Sequence, residues 1–378
     1  MKNILYGLLG LVLVAGTATL ASAGITYSNP VDNPSGVAFT QLYGVNNTGL
    51  IVGAYQTGGG LTSDNSFTYN GSTFTSINCP TSTCTNSEAS ESTGINNAGT
   101  TFGTYVVSTN NSFGGYEDVT GTNTFSTEMV TAVDCPTCPS VGTGANKGTL
   151  GQGINSSGAI VGTYSATAGT EGFYSSNGST YVPVIVAGAT YDAAEAINNN
   201  GEIGGNLCPT TVCASNAAKF GFTENTVGGS ATCYSAGTAG TLSGCTSWVA
   251  FGIAGANNTT VQGIDGNGDV VGFFTVAGEE EGYICESPTT SACGTLIIVP
   301  PSAVPSTFTG AYSLQIFGIN NAGNEFVGSV SDSNGTEGFI GYINGGPTTT
   351  PEPGTLILTF GSLGLLGLWG RKRRSVRQ

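Results

Sequence analysis

GINNAGTTFGTY, residues Gly94 to Tyr105, decides how this chain is read. Related stretches begin at Gly44 (GVNNTGLIVGAY), Gly153 (GINSSGAIVGTY), Ala196 (AINNNGEIGGNL), Gly263 (GIDGNGDVVGFF) and Gly318 (GINNAGNEFVGSV). The last carries one extra residue between its second and third glycines. Successive copies start 50, 59, 43, 67 and 55 residues apart. Self-similarity on this scale marks a repeat architecture. Asn-Asn-x-Gly predicts a tight turn, because Asn and Gly accept the positive φ that short hairpins need. The residues on either side of it predict strands.

Two further elements recur. Glu-Gly-aromatic appears at Glu171-Gly172-Phe173, Glu281-Gly282-Tyr283 and Glu337-Gly338-Phe339, each aromatic 11 residues after the glycine of the second predicted strand. Looser versions end at Phe67, Tyr116 and Phe222. An Asn-Gly turn flanked by β-formers follows in YNGSTFTSI (69–77) and YSSNGSTYVPV (174–184). Each unit therefore predicts four short strands. Four strands per 40 to 67 residues is the arithmetic of a β-propeller blade. The expected fold is all-β, a β-propeller of about six four-stranded blades, with residues 25–43 supplying a strand that closes the ring. The second-strand glycine is expected near a crowded axis. A β-solenoid, an open sandwich array and a seventh degenerate blade within 205–262 remain alternatives.

Composition agrees with this. The chain has 378 residues, with 61 Gly, 14 Pro and only 8% charged residues. Breakers at that density interrupt any long helical pattern. There is no His. That excludes Ser-His-Asp triads, Cys-His dyads and His-ligated zinc.

The two ends carry targeting chemistry. Lys2, an apolar run from Ile4 to Ala15 and Ala21-Ser22-Ala23 read as a secretory signal cleaved after Ala23. At the other end come Pro351-Glu352-Pro353, an uncharged apolar stretch from Thr355 to Trp369, and a basic stop of Arg371, Lys372, Arg373, Arg374 and Arg377. This order is that of a short membrane span with a positive cytoplasmic end. It resembles the PEP-CTERM sorting signal of exopolysaccharide-producing Gram-negative bacteria. The resemblance implies recognition by an exosortase, cleavage near Pro351-Glu352-Pro353 and release to the cell surface or matrix. The chain would touch the inner membrane only through this segment, before cleavage. The repeats are similar to HAF repeats of bacterial extracellular proteins, with Glu-Gly-Phe in place of His-Ala-Phe. The expected organisation is a signal peptide (1–23), a repeat domain (24–346) and a sorting segment (347–378).

Between the ends only Lys147 and Lys219 are basic, and there is no Arg. Such an acidic body cannot neutralise a phosphate backbone, which excludes nucleic acid as a partner. Acidic polymers are repelled, whereas cations and neutral glycans are not.

Ten cysteines in an exported chain predict disulfides. The shortest loops pair Cys79 with Cys84, Cys135 with Cys138, Cys208 with Cys213, Cys233 with Cys245 and Cys285 with Cys293. Cys135-Pro-Thr-Cys138 reads as a staple, because nothing helical follows it.

No catalytic residue is assigned and no cofactor is required. Asp265, Asn267 and Asp269 have the alternating oxygens of a calcium loop, but positions 6 and 12 are Val270 and Val276. The competing reading is a turn with Asp in place of Asn. Glu279 and Glu280 are expected in a solvated loop, and Asp192 with Glu195 are the other acids considered. The expected role is a non-enzymatic surface or matrix protein associated with exopolysaccharide. The alternatives are a carbohydrate-active hydrolase or lyase on the same scaffold, and a passive surface protein.

Overall fold

In a computed structural model the chain is all-β. The structure describes residues 24–344 apart from 37–38, 59–63, 78–86, 108–111, 120–123, 129–147, 167–168, 185–190, 209–219, 225–247, 290–291 and 308–312. The signal and sorting segments lie outside the described residues. So do Cys79, Cys84, Cys135, Cys138, Cys213, Cys233 and Cys245, together with Lys147 and Lys219.

A short strand β1 (Thr26–Tyr27) precedes six repeat units. Unit one holds β2 to β5 (Thr40–Val45, Ile51–Gln56, Asp64–Tyr69, Phe74–Ile77). Unit two holds β6 to β9 (Ser87–Ile95, Thr100–Val107, Ser112–Val119, Thr124–Glu128). Unit three holds β10 to β13 (Thr149–Ile154, Ile160–Ser165, Thr170–Ser175, Tyr181–Val184). Unit four holds β14 to β17 (Tyr191–Ile197, Ile203–Cys208, Phe220–Glu224, Trp248–Phe251). Unit five holds β18 to β21 (Asn258–Ile264, Val270–Val276, Glu279–Thr289, Ala292–Val299). Unit six holds β22 to β24 (Ser313–Ile319, Glu325–Asp332, Gly335–Tyr342). Its fourth place is taken by β1, with Thr26 opposite Tyr342 and Tyr27 opposite Gly341. Within each unit the neighbours run antiparallel in sequence order. Units five and six share one sheet through a single parallel bridge, Glu280 to Ser313. Among the described residues the 205–262 interval holds no separate seventh unit. Its strands complete unit four and open unit five.

The Asn-led turns explain the first hairpins. In units one to four the first Asn turns its Oδ1 onto the backbone N–H groups two and four residues on; Asp265 does the same in unit five, and in unit six Asn320 reaches those of Asn324 and Glu325. For Asn46 these are Thr48 and Leu50, both at 3.0 Å. For Asn155 they are Ser157 and Ala159, both at 3.0 Å. The turn closes on a residue with φ between 70° and 86° (Gly49, Gly99, Gly158, Gly201, Gly268 and Gly323), where a Cβ is strained.

The second-strand glycine is not on the axis, contrary to expectation. It is held between the first strand and the third-strand aromatic. A Cβ on Gly53 would lie 2.1 Å from the Gln41 carbonyl oxygen and 2.8 Å from the Phe67 ring. On Gly162 it would lie 2.1 Å from the Leu150 oxygen and 2.9 Å from Phe173. Gly205, Gly272 and Gly328 repeat the arrangement with Phe222, Tyr283 and Phe339. The six third-strand aromatics are fully buried. At about 1.5–3 kcal/mol per fully buried large side chain, they are a main source of core stability.

The repeat's leading glycines meet instead. The first strands touch in cyclic order, unit six returning to unit one. A Cβ on Gly44 would lie 3.6 Å from the Cα of Gly94, one on Gly94 3.1 Å from Gly153, and one on Gly153 3.1 Å from Ala196. One on Gly263 would lie 3.2 Å from Gly318, and one on Gly318 3.0 Å from Gly44. Glycine at five of these positions, with only the methyl of Ala196 at the sixth, lets six backbones converge.

Cys285 and Cys293 are bonded across the β20–β21 hairpin, as their spacing predicts. Cys208 is disulfide-bonded, and its proposed partner lies outside the described residues.

Candidate functional site

Every first strand carries a β-bulge just before its leading glycine or alanine. A bulge re-aims a side chain. The bulged residues are Tyr43, Thr93, Gln152, Glu195, Gln262 and Phe317, and all six line one central cavity of about 180 Å³. Glu91, two residues before Thr93, lines it as well. Beyond the glycine layer, Val45, Ile95, Ile154, Ile197, Ile264 and Ile319 narrow the passage.

The far end is laced by the turns. Asn46, Asn96, Asn155 and Asn198 each donate Nδ2 to the backbone oxygen of the corresponding residue in the next unit, at 3.0, 3.2, 3.1 and 2.7 Å. The fifth position is Asp265, whose carboxylate has no such donor, and Gly266 N–H reaches the Asn321 oxygen at 2.9 Å instead. Second-position side chains add links, among them Ala322 N–H to Asn47 Oδ1 at 3.0 Å, which joins unit six to unit one.

Asp265, Asn267 and Asp269 sit within this turn. Asp265 Oδ1 accepts from the Asn267 and Asp269 N–H groups at 2.8 and 2.9 Å, and Oδ2 accepts from Asn267 Nδ2 at 3.2 Å. Asp269 Oδ1 accepts from Ser287 N–H at 2.8 Å. Burial pushes the Asp265 carboxyl up from its ordinary value. Among the described residues no three His, Cys, Asp or Glu side chains are grouped to hold a metal.

The open end is polar and acidic. Glu195 accepts from Asn206 Nδ2 at 3.1 Å. Asp192 does not join it: that carboxylate is buried and accepts from Gly172 N–H at 3.0 Å, tying unit four to unit three. Glu91 is hydrogen-bonded to Asp64 of unit one. Burial and the Asp64 charge push the Glu91 carboxyl up to about 8, and burial raises Asp64 too. Tyr43 donates its O–H to Gln41 Oε1 at 2.6 Å, and its own hydroxyl is raised by burial and by both acids. An aromatic wall completes the cavity. The Tyr43 and Phe317 rings meet edge-on at 5.2 Å, and Phe317 meets Phe273 at 6.4 Å.

The repeated Glu-Gly-aromatic acids are elsewhere. Glu171 accepts from the Tyr164 hydroxyl, and Glu337 is buried against Ser306 and Thr307. Glu279 and Glu280 open strand β20 rather than a loop, and Glu280 accepts from Ser313 Oγ at 2.6 Å and Gln315 Nε2 at 2.8 Å. Glu91 escaped the sequence reading because the repeat frame began at the glycine three residues later. Extending the frame upstream sets Gln41, Glu91 and Gln315 at equivalent positions. Pro351, Glu352, Pro353, Arg371, Lys372, Arg373 and Arg374 lie outside the described residues.

No family model matches the chain, and no curated protein matches it. Among solved structures it is similar to a protein of unknown function from Dyadobacter fermentans. The identity is 14% and the TM-score 0.48, over 85% of this chain and 99% of that one. It is also similar to the Trypanosoma rangeli sialidase in complex with sialic acid, at 11% identity and TM-score 0.41. That match covers 85% of this chain and 59% of the sialidase. Likeness at this level assigns no activity to this chain.

Proposed function

We propose that the chain is a six-bladed β-propeller, exported through its N-terminal signal and sorted through its PEP-CTERM-like tail by an exosortase. In this reading it acts without catalysis, at the cell surface or in the matrix, by binding exopolysaccharide at the open end of the central cavity. The cyclic contact of six four-stranded units supports the propeller. One observation carries the binding role: six bulges aim Tyr43, Thr93, Gln152, Glu195, Gln262 and Phe317 into one cavity. Aromatic faces take the C–H surface of a sugar ring, and amides and hydroxyls take its hydroxyl groups. With so few basic residues, the favoured polymer is neutral.

A second reading, glycoside cleavage, is favoured by a single feature. Glu91 and Glu195 line the same cavity, and cleavage uses two carboxyl groups flanking one bond. One experiment separates the readings. The oxidised protein is incubated with the producing bacterium's own polysaccharide, and binding and new reducing ends are both measured. Binding without new ends supports the module. New ends that vanish in Glu195→Gln overturn it in favour of a hydrolase. Neither binding nor cleavage leaves a passive surface protein.

A further inference from the structure

We propose that the cavity between units five and six is a second sugar subsite, which takes the next residues of a polymer chain anchored in the central cavity. This rests on the polysaccharide reading and makes its ligand a run of several neutral sugars. The central cavity, at about 180 Å³, falls below the roughly 300–1,000 Å³ of ordinary ligand pockets. The outer cavity, between units five and six, holds about 580 Å³ and lies within that range. Both units build its wall. Thr275 of β19 and Glu280 of β20 stand on one side, and Ser313 and Gln315 of β22 with Ser331 of β23 on the other. The two sides are tied together, because Glu280 Oε2 accepts from Ser313 Oγ at 2.6 Å and from Gln315 Nε2 at 2.8 Å. Those bonds fix the acid and the amide, and leave Oε1 of each to accept from a ligand.

The wall chemistry selects the ligand class. Among the described residues, no apolar, aromatic or basic side chain lines the outer cavity, which disfavours apolar ligands and anions. A single carboxyl group that already takes two donors is a poor cation site. A neutral molecule that donates and accepts at several points fits, and that is the chemistry of sugar hydroxyls. The two cavities are also neighbours along one strand. Gln315 lines the outer one, and Phe317, two residues on, lines the central one. Two strand residues span about 7 Å, the scale of one sugar ring. On β19, Phe273 shares a face with Thr275, and its ring meets Phe317 at 6.4 Å. This aromatic pair links the cavities and offers a surface over which a sugar chain can pass.

Binding isotherms of the full, oxidised chain test this. The probes are the producing bacterium's own polysaccharide and its size-fractionated fragments. Wild-type affinity should rise at least tenfold from single residues to fragments that span both cavities. Gln315→Met and Thr275→Val should each remove about tenfold from the long fragments and from the polymer, while Asn70→Ala binds as the wild type does. Thr275→Val gives up no side-chain hydrogen bond to a described residue, so it carries the test if Gln315→Met folds poorly. Wild-type binding in folded Gln315→Met and Thr275→Val, with weakened binding in Phe317→Ala, overturns the outer subsite and leaves the central reading standing. Affinity that does not grow with fragment length does the same. Absence of any binding by the wild type overturns both.

Discussion

The side-chain amide of Asn155 donates to the backbone oxygen of Asn198 at 3.1 Å, tying unit three to unit four through residues 43 positions apart. The same side chain caps its own turn through Oδ1. One residue type therefore shapes the hairpin and joins it to its neighbour, which is why Asn leads these turns.

Asn155→Ala should cost about 2–3 kcal/mol of unfolding free energy, because it leaves buried backbone groups unpaired in two units. Asn70 makes the same kind of turn bonds to Ser72 and Thr73 in an exposed hairpin. Asn70→Ala should cost about 1 kcal/mol or less. Denaturant titration of both variants checks the difference, and equal losses would contradict the inter-unit role.

Gly162→Ala places a Cβ 2.1 Å from the Leu150 oxygen and against Phe173. Neither the backbone nor a packed ring can retreat, so the loss should reach about 3 kcal/mol. Gly71, at φ 90° with open space around it, should cost only about 1 kcal/mol as Ala. The ranking of the two midpoints is the readout.

Stability should fall as pH rises. Burial raises the carboxyls of Asp64, Glu91, Asp118, Glu171, Asp265 and Glu325 above their ordinary values. The folded state then keeps protons that the unfolded chain has released. That stabilisation is complete below the ordinary carboxyl range of about 4 and fades as pH passes the folded values, for Glu91 about 8. The melting temperature should be several degrees higher at pH 5 than at pH 8.5. A flat or rising profile would contradict this.

Phe317→Ala and Gln152→Ala should each weaken polysaccharide binding about tenfold, the scale of one lost aromatic or amide anchor. Asn70→Ala, on the outer hairpin, should bind as the wild type does. Binding isotherms on the immobilised polymer report both.

The hairpins and the third-strand aromatics were legible because each is written in local chemistry. An Asn-Asn-x-Gly turn needs only its own four residues. The positions of the two repeated glycines were harder to tell apart. Gly44 and Gly53 look alike in sequence, yet one faces the centre and the other is trapped under Phe67. Their roles depend on which neighbour approaches, and that is set by the sheet. Asp64 and Glu91 stand in different units, so their meeting is a product of the stacking of units one and two.

The pairing of β1 with β24 also fixes an order in time. Strand Thr26–Tyr27 must wait, unpaired, until Gly341 and Tyr342 have been made. A contact at so long a sequence separation is slow to form. Until it does, unit six lacks its fourth strand, and the free edge of β24 invites pairing with other chains. The pairing of the first strand with β24 thus comes late in synthesis, and the interval before it forms is when the chain is most exposed to misassembly.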